Sequence, residues 1–214
     1  MDDKTDELRA AHDVLAPWYA ERLAGALERM PIERAVLGLF AELTLAAGIG
    51  TDVADVGCGT GRLTPYLAAH GLTPRGVDLS PGMVEVARRD HPGVTFEVAD
   101  LRALPFPDAS LAGVVCWYSL IFLAPADRAV AFGELARVVR PGGHLVTAFK
   151  DADGRLRRGG RAPGLGVEFD TYGLSAREMR DRAAEAGFAT VFEGSRPPED
   201  GESCPQGYLL ARRT

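Results

Sequence analysis

The sequence predicts an α/β protein with a mainly parallel sheet, preceded by a helical opening. Three observations carry this. Short apolar runs that close on an acid or a glycine recur through residues 53–149 and take turns with stretches of helical period, the alternation that joins parallel strands by crossover helices. The first run leads directly into Gly57, Gly59 and Gly61, a strand-to-loop junction of the kind that brings backbone close to a ligand. Residues 1–50 carry helical stripes and no strand pattern.

The elements follow in order. Leu8, His12, Leu15 and Tyr19 fall on one helical stripe, which Leu23, Leu27 and Met30 extend beyond Pro17; the proline is expected to kink or split that helix. A second helix starts at Pro31 and is expected to bury Val36, Leu39, Phe40 and Leu43. Gly48-Ile-Gly50-Thr51 then separates a cap, residues 1–50, from a ligand-binding body, residues 51–214. Val53–Val56 and Arg75–Asp78 are the first two strands. Ser80-Pro81 reads as an N-cap with proline at the first helical position, ahead of Met83, Val86 and Ala87 on one face. Val94–Ala99 is a third strand ending at Asp100, and Ala112–Trp117 a buried fourth. A helix over 126–140 turns Phe132, Leu135, Ala136 and Val139 inward, and Gly142-Gly143 leads into a fifth strand, His144–Phe149. Ser175-Ala-Arg-Glu178 is a capping box opening a helix that ends at Gly187, after which 188–192 and 207–210 pair as closing strands. Lys150–Gly173 has seven glycines or prolines and no period; it is expected to be a loop that determines substrate choice and orders on ligand binding, with Glu168, Asp170 and Tyr172 as possible acceptor contacts.

Composition bounds the partners. At 214 residues with 46% hydrophobic and 25% charged content, one compact domain plus a cap is expected. The net charge of −6 lacks the basic footprint of a nucleic-acid binder, and the basic cluster Arg155–Arg161 reads as a solvated loop or a contact to an anionic substrate. Three scattered cysteines offer neither zinc spacing nor a disulfide framework; Cys58 is a small filler and no metal site is expected. His144 is expected to pack structurally, with His70 and His91 at helix ends. No signal peptide or membrane-spanning run is visible, so a cytoplasmic protein without membrane association is expected.

The ligand chemistry follows from the acids. The spacing Asp55-x-Gly57-x-Gly59-x-Gly61 is neither the dinucleotide fingerprint nor a Walker A loop. Asp55 stands where it would repel a pyrophosphate and attract an ammonium group. Asp78 lies roughly 20 residues beyond the first glycine, where a carboxylate binds ribose hydroxyls, and Asp100 ends the next strand. Three acids converging on one crevice disfavour a phosphate-rich ligand, because like charges at close range cost on the order of several kcal/mol. A sulfonium nucleoside with a free amino group suits them.

These residues, with Tyr19, Asp78-Leu79-Ser80, Ala99-Asp100-Leu101, 104–108, 134–143 and Ala186-Gly187-Phe188, resemble the class I S-adenosylmethionine-dependent methyltransferases, small-molecule enzymes of the ubiquinone-biosynthesis type. The resemblance implies a Rossmann-like, doubly wound, seven-stranded sheet with the last strand antiparallel, and an N-terminal helical lid with Tyr19 as its cofactor contact. It also implies that Asp55 orients the glycine loop or reaches the methionyl amine through water. The Gly57-Cys58-Gly59 backbone, through Gly61, would wrap the methionine part, and Asp78 would hold the ribose. Leu79 and Met83 would sandwich the adenine, Asp100 would accept from its exocyclic amine, and the Leu101 amide would reach a ring nitrogen. The Cys116 carbonyl would take the ammonium.

Methyl transfer from a sulfonium is an in-line displacement with a good leaving group, so alignment of acceptor and methyl carbon is the main requirement. Many members of this family carry a histidine after the fourth strand, whereas Leu120–Leu123 is apolar here. Tyr19, His12 and Tyr118 remain as candidate catalytic residues, and a small, apolar acceptor is favoured, with S-adenosylhomocysteine as the second product. The alternatives are a nicotinamide-dependent oxidoreductase, against which the missing GxGxxG counts, and a non-catalytic cofactor-binding module of the same fold.

Overall fold

The computed structural model describes residues 3–158, 164–199 and 201–214, with the backbone alone over 155–158; the side chains of the basic cluster Arg155–Arg161 lie outside the described residues. In chain order the elements are α1 (Asp3–Leu23), α2 (Pro31–Ala46), β1 (Asp52–Val56), α3 (Thr64–Ala69), β2 (Thr73–Asp78), α4 (Pro81–Asp90), β3 (Thr95–Val98) and β4 (Leu111–Trp117). There follow α5 (Arg128–Val138), β5 (Val139–Lys150), β6 (Arg155–Arg158), β7 (Asp170–Tyr172), α6 (Ala176–Glu185), β8 (Phe188–Arg196) and β9 (Gln206–Arg213).

The main sheet has the order β3-β2-β1-β4-β5-β9-β8. Six strands run one way and β9, paired antiparallel with both β5 and β8, runs against them. Between β1 and β4 the progression of the chain reverses, and at such a switch point the loops leaving the two strands part and open a crevice. Neighbouring side chains along each strand face opposite ways. Ala54, Val114, Leu145 and Leu209 meet Phe132, Leu135, Met179 and Ala183 from α5 and α6. Val53, Val115, Val146 and Leu210 meet Leu37, Phe40 and Ala41 from α2 with Leu67 of α3. Burial of each large apolar side chain contributes about 1.5–3 kcal/mol, and Leu37, Phe40, Leu67, Leu135 and Leu209 are fully enclosed.

Several elements differ from the sequence reading. Pro17 lies inside α1 without dividing it. A proline crowds the carbonyl four residues back, here that of Asp13, and this turn is clamped against the start of α4, where Gly82 has no side chain to obstruct the Asp13 backbone. Helix α2 begins at Pro31 as expected, but its buried face is Val36, Leu37, Phe40, Ala41 and Thr44, with Leu39 and Leu43 only partly covered; contact with the sheet rotates the stripe. Because α2 is a layer of the core, it is α1 and the turn that follows it, through Met30, that border the crevice. Val139 belongs to β5 rather than to the preceding helix, since α5 stops there to pair with Leu111. The segment expected to be a loop contains the antiparallel pair β6–β7. Ser175 caps α6 by accepting from the Glu178 amide at 3.2 Å, but the Glu178 side chain does not close the box: it takes both bonds of Arg128 Nη1 at 2.7 Å and so ties α6 to α5.

Glu33 of α2 is a buried charge that no periodicity announces. It is 2% exposed, and its Oε1 accepts from Arg196 Nε at 2.8 Å and from the Tyr208 hydroxyl at 2.7 Å. Arg196 also donates to both oxygens of Glu202. The cluster joins α2 to β8 and β9. Replacing Glu33 with alanine is expected to remove ~3 kcal/mol of stability, read as a lowered urea midpoint with an unchanged slope, while Glu33→Gln, which keeps an acceptor for Tyr208, should fall between the two. An alanine variant as stable as the wild type would show that the cluster contributes nothing to the fold.

Candidate active site

A cavity of about 1060 Å³ lies at the carboxyl ends of β1, β2 and β4, beneath α1. Its floor is the glycine loop. Gly57, at φ +74, and Cys58 both donate their amides to the Val77 carbonyl, at 2.8 and 3.0 Å, which bends the chain away from β1. A side chain at Gly57 would collide with Ser119, just past β4, whereas one at Gly59, φ +54, would meet no protein atom within 4 Å. Gly59 is the point where bare backbone faces open space. Gly61 has a different reason: a side chain there would strike Phe96 and His91, and the residue does not border the cavity. Cys58 is buried among Val84, Ala87 and Phe96, and burial pushes its thiol well above the ordinary range.

Asp78 braces this loop. Its Oδ2 accepts from the Gly59 amide at 2.8 Å and its Oδ1 from the Ser80 amide at 2.9 Å, so the acid at the end of β2 does what the resemblance implied for Asp55. Burial raises the Asp78 pKa, and these two bonds work against the rise. Ser80 caps α4 through the Met83 amide and donates to Asp13 of α1 at 2.6 Å, while the Gly82 amide donates to the same oxygen at 2.8 Å. Asp13, missed in the sequence, thereby pins α1 to the start of α4 from 67 residues away; no local pattern announces such a bond.

Asp55 is 1% exposed and neither carboxylate oxygen has a hydrogen-bond partner among the described residues. Burial raises its pKa to about 7, with the nearby Arg62 pulling it down and Asp78 pushing it up. Asp100 also borders the cavity, but its oxygens accept from the Arg102 backbone amide at 2.8 Å and from the Arg102 guanidinium at 2.7 Å. Arg102 reaches on to Thr5 of α1. Of the three converging acids, one is thus neutralised by an arginine and one titrates near neutrality, a weaker anionic rim than the acids alone imply. Leu79, Met83 and Leu101 line the same end, Met83 doing so from within the cluster that α1 and α4 share.

The three candidate catalytic residues separate. His12 has Nδ1 2.9 Å from the Leu8 carbonyl, which makes Nδ1 the protonated nitrogen of a neutral ring. Its ring packs 4.8 Å from Phe122 and 4.9 Å from Phe169, and burial lowers its pKa against the pull of Asp78 and Asp13. It stands at the Asp78 end. Tyr19 borders the cavity next to His12. Tyr118, held at φ +59, also borders it, and burial pushes its phenol far up, so it is a proton donor rather than a base at neutral pH. Cys116, expected to offer its carbonyl, is fully buried and absent from the cavity wall; Trp117, Tyr118 and Ser119 line it instead, because the chain turns at Tyr118. From the segment before α6, Phe169, Asp170, Thr171 and Tyr172 line the cavity and Glu168 does not; Asp170 is occupied by Lys4 at 2.7 Å. Arg62, immediately after the third glycine, also reaches the cavity and was missed, although its place in the motif was visible. Among the described residues no cluster of histidine, cysteine and acid has the makings of a metal site.

Residues 53–143 match the methyltransferase domain family. The chain is 34% identical over 148 residues to the demethylmenaquinone methyltransferase of Renibacterium salmoninarum, covering 69% of this chain and 60% of that one. It is 33% identical over 154 residues to an O-methyltransferase of Penicillium expansum, covering 69% and 55%, and 36% identical over 97 residues to the malonyl-[acyl-carrier protein] O-methyltransferase of Serratia marcescens, covering 45% and 37%. The chain thus spans roughly half the length of these relatives. Among solved structures, an S-adenosylmethionine-dependent methyltransferase of Methanosarcina mazei superposes with a TM-score of 0.69 at 19% identity, covering 77% of this chain and 92% of that one. The magnesium protoporphyrin IX methyltransferase of Synechocystis, with S-adenosylmethionine bound, superposes at 0.62 and 22% identity, covering 85% and 80%. The fold is therefore that of the S-adenosylmethionine-dependent methyltransferases.

The orphaned acid has a measurable signature. A carboxyl with a raised folded-state pKa keeps its proton when the unfolded chain has lost it, so between pH 4 and 7 stability falls as pH rises. In urea titrations without ligand, Asp55→Asn should gain on the wild type by about 2–3 kcal/mol between pH 5 and pH 8. An equal difference at the two pH values would mean that Asp55 ionises normally.

Proposed function

We propose that this chain, which carries a methyltransferase domain of the S-adenosylmethionine-dependent class, transfers a methyl group from S-adenosylmethionine to a small-molecule acceptor at oxygen, nitrogen or carbon. The observation that carries the reading is the pairing of a carboxylate braced for a ribose, Asp78, with an orphaned buried carboxyl, Asp55, on either side of the open backbone at Gly59. Both the unmatched Asp55 and the space over Gly59 fit the methionyl end of this cofactor, and residual lone pairs on Asp78 fit its ribose diol. The bound cofactor supplies an electrophilic methyl group on sulfur.

The chain's own residues then have four tasks. Asp78 and the glycine loop hold the nucleoside at a fixed height above β1 and β4. Leu79 and Met83 offer an apolar slot for the base, with the His12 ring between Phe122 and Phe169 closing it from the α1 side. Helix α1, latched by Asp13, serves as the lid that keeps water from the reacting atoms. The remaining cavity, walled by Trp117, Tyr118, Ile121 and Leu123, receives the acceptor; the whole cavity, about 1060 Å³, slightly exceeds the usual range for ligand pockets, which leaves room for a second molecule beside the cofactor. Those walls support an acceptor with a substantial apolar part. Tyr118 is held protonated by burial and Leu120–Leu123 is apolar, which supports catalysis by alignment. The named relatives are a demethylmenaquinone methyltransferase and a malonyl-[acyl-carrier protein] O-methyltransferase, which supports a small acceptor group, and no observation favours the nicotinamide reading. No helix among the described residues is long and apolar enough to cross a membrane.

Calorimetry with S-adenosylhomocysteine tests the reading. The wild type should bind it and give no heat with NADH. Asp78→Ala should weaken binding by at least ~1–3 kcal/mol, because ribose hydroxyls lose their acceptor and the Gly59 amide loses its own. Gly59→Val should abolish it, since the side chain would fill the space over the loop and strain a residue at positive φ. Undiminished affinity in both folded variants would place the ligand elsewhere.

A further inference from the structure

Helix α1 crosses the cavity mouth in one direction. Thr5 meets Arg102, beyond the end of β3, and Asp13 meets Ser80, beyond the end of β2. A helix advances ~1.5 Å per residue, so the stretch from Asp13 to Arg22 continues for ~14 Å along the order β3-β2-β1-β4 and brings the last turn of α1 over the ends of β1 and β4. Arg22 stands in that turn. Arg29 ends the single helical turn Leu27–Arg29, after Gly25 has bent the chain at φ +61. Both arginines border the cavity, and both also border a recess of about 370 Å³ beside Trp18, Glu21 and Ala24, to which the glycine loop, Asp78 and Asp100 do not extend. They therefore form a rim away from the nucleoside end.

Neither Arg22 nor Arg29 has a hydrogen bond or ion pair with a described residue. By contrast Arg196, Arg102, Lys4 and Arg9, which also line the cavity, are each paired with an acid. Arg62, next to the glycine loop, is unpaired as well, but Asp55 partly offsets its charge. Around the two rim arginines the wall is apolar, with Trp18, Leu23, Ala26 and Met30. Two unanswered guanidiniums on an apolar rim complement an apolar molecule that ends in an anion. Resting on the methyltransferase reading above, we propose that the acceptor is an anionic amphiphile, its apolar body against Trp117 and Ile121 and its carboxylate or phosphate held at the rim by Arg22 and Arg29. Guanidinium bonds to such oxyanions are charge-assisted and form in parallel pairs. Anchoring one end fixes which way round the acceptor enters, and that is the alignment a displacement requires.

Both tryptophans of the chain, Trp18 and Trp117, line the cavity, so intrinsic fluorescence reports its occupancy. Decanoate, decyl phosphate, decanol and decylammonium, each below its micellar concentration, are titrated into the full chain with and without S-adenosylhomocysteine. At least one of the two anions should bind the wild type about tenfold more tightly than decanol, the order of the two telling carboxylate from phosphate, and decylammonium should bind more weakly than decanol. High salt should shrink the preference. Arg22 and Arg29 are exposed, so replacing them leaves the core intact. Arg22→Gln and Arg29→Gln should each remove about threefold of the preference, and the double variant should bind anions and alcohol within about twofold of each other. Its affinity for decanol and, by calorimetry, for S-adenosylhomocysteine should match the wild type. Equal binding of anions and alcohol by the wild type, binding of none of the four, or a preference that survives in the double variant would overturn the assignment. A double variant that loses affinity for S-adenosylhomocysteine would overturn it too, by giving the arginines to the cofactor. A wild type that prefers the anions yet gives no heat with S-adenosylhomocysteine would instead sink the methyltransferase reading and leave the anion-binding rim standing.

Discussion

The carboxylate of Asp78 is the constraint on which the site depends. Its two oxygens hold the amides of Gly59 and Ser80, so the glycine loop leaving β1 and the start of α4 leaving β2 cannot move independently. Ser80, fixed in this way, caps α4 and binds Asp13, and Asp13 carries α1 across the mouth of the cavity. One acid at a strand end thus sets the height of the loop, the start of α4 and the seat of α1. A carboxylate suits this because it accepts up to four hydrogen bonds: two are spent on backbone, and the others face the cavity.

Matched and unmatched charges divide the molecule. Where arginines and acids serve the fold, they meet at hydrogen-bond distance, as in the Glu33–Arg196–Glu202 cluster and the Arg128–Glu178 pair. Within the cavity, Asp55 and Arg62 are left apart and unpaired. Leaving buried charge without a partner costs stability, and such cost concentrates where a ligand supplies the missing partner. The raised pKa of Asp55 expresses the same cost in another form: without a counter-charge the acid holds its proton to near neutrality. Were a ligand to answer these two side chains, its binding would raise stability by the same route.

Three titratable side chains on the cavity wall are held in fixed states. Tyr118 is held protonated by burial, and the neutral His12 ring sits beside Asp78, wedged between two phenylalanines. Asp170 is bound to Lys4. On the proposed reading, these side chains would shape the acceptor space and exclude water more than they would move protons. For a displacement with a good leaving group, geometry is the larger part of the barrier that a protein can lower.

Much of this was legible in the chain itself. The alternation of strand and helix, the positions of Asp55, Asp78 and Asp100 at strand ends, the Ser80-Pro81 cap and the Ser175 cap are local patterns, and local patterns survive folding because they are set by backbone geometry and neighbours a few residues away. The seven-stranded sheet and its antiparallel last strand followed from the resemblance carried by the same motifs, while the strand order is read from the structure. What only the tertiary structure decided is who answers whom. That Asp78 and not Asp55 braces the loop, that Asp13 latches α1 and that Glu33 is buried with Arg196 all depend on groups far apart along the chain. A residue's type states how many hydrogen bonds and what charge it brings; its partners are set by the packing of whole elements, which no local pattern encodes.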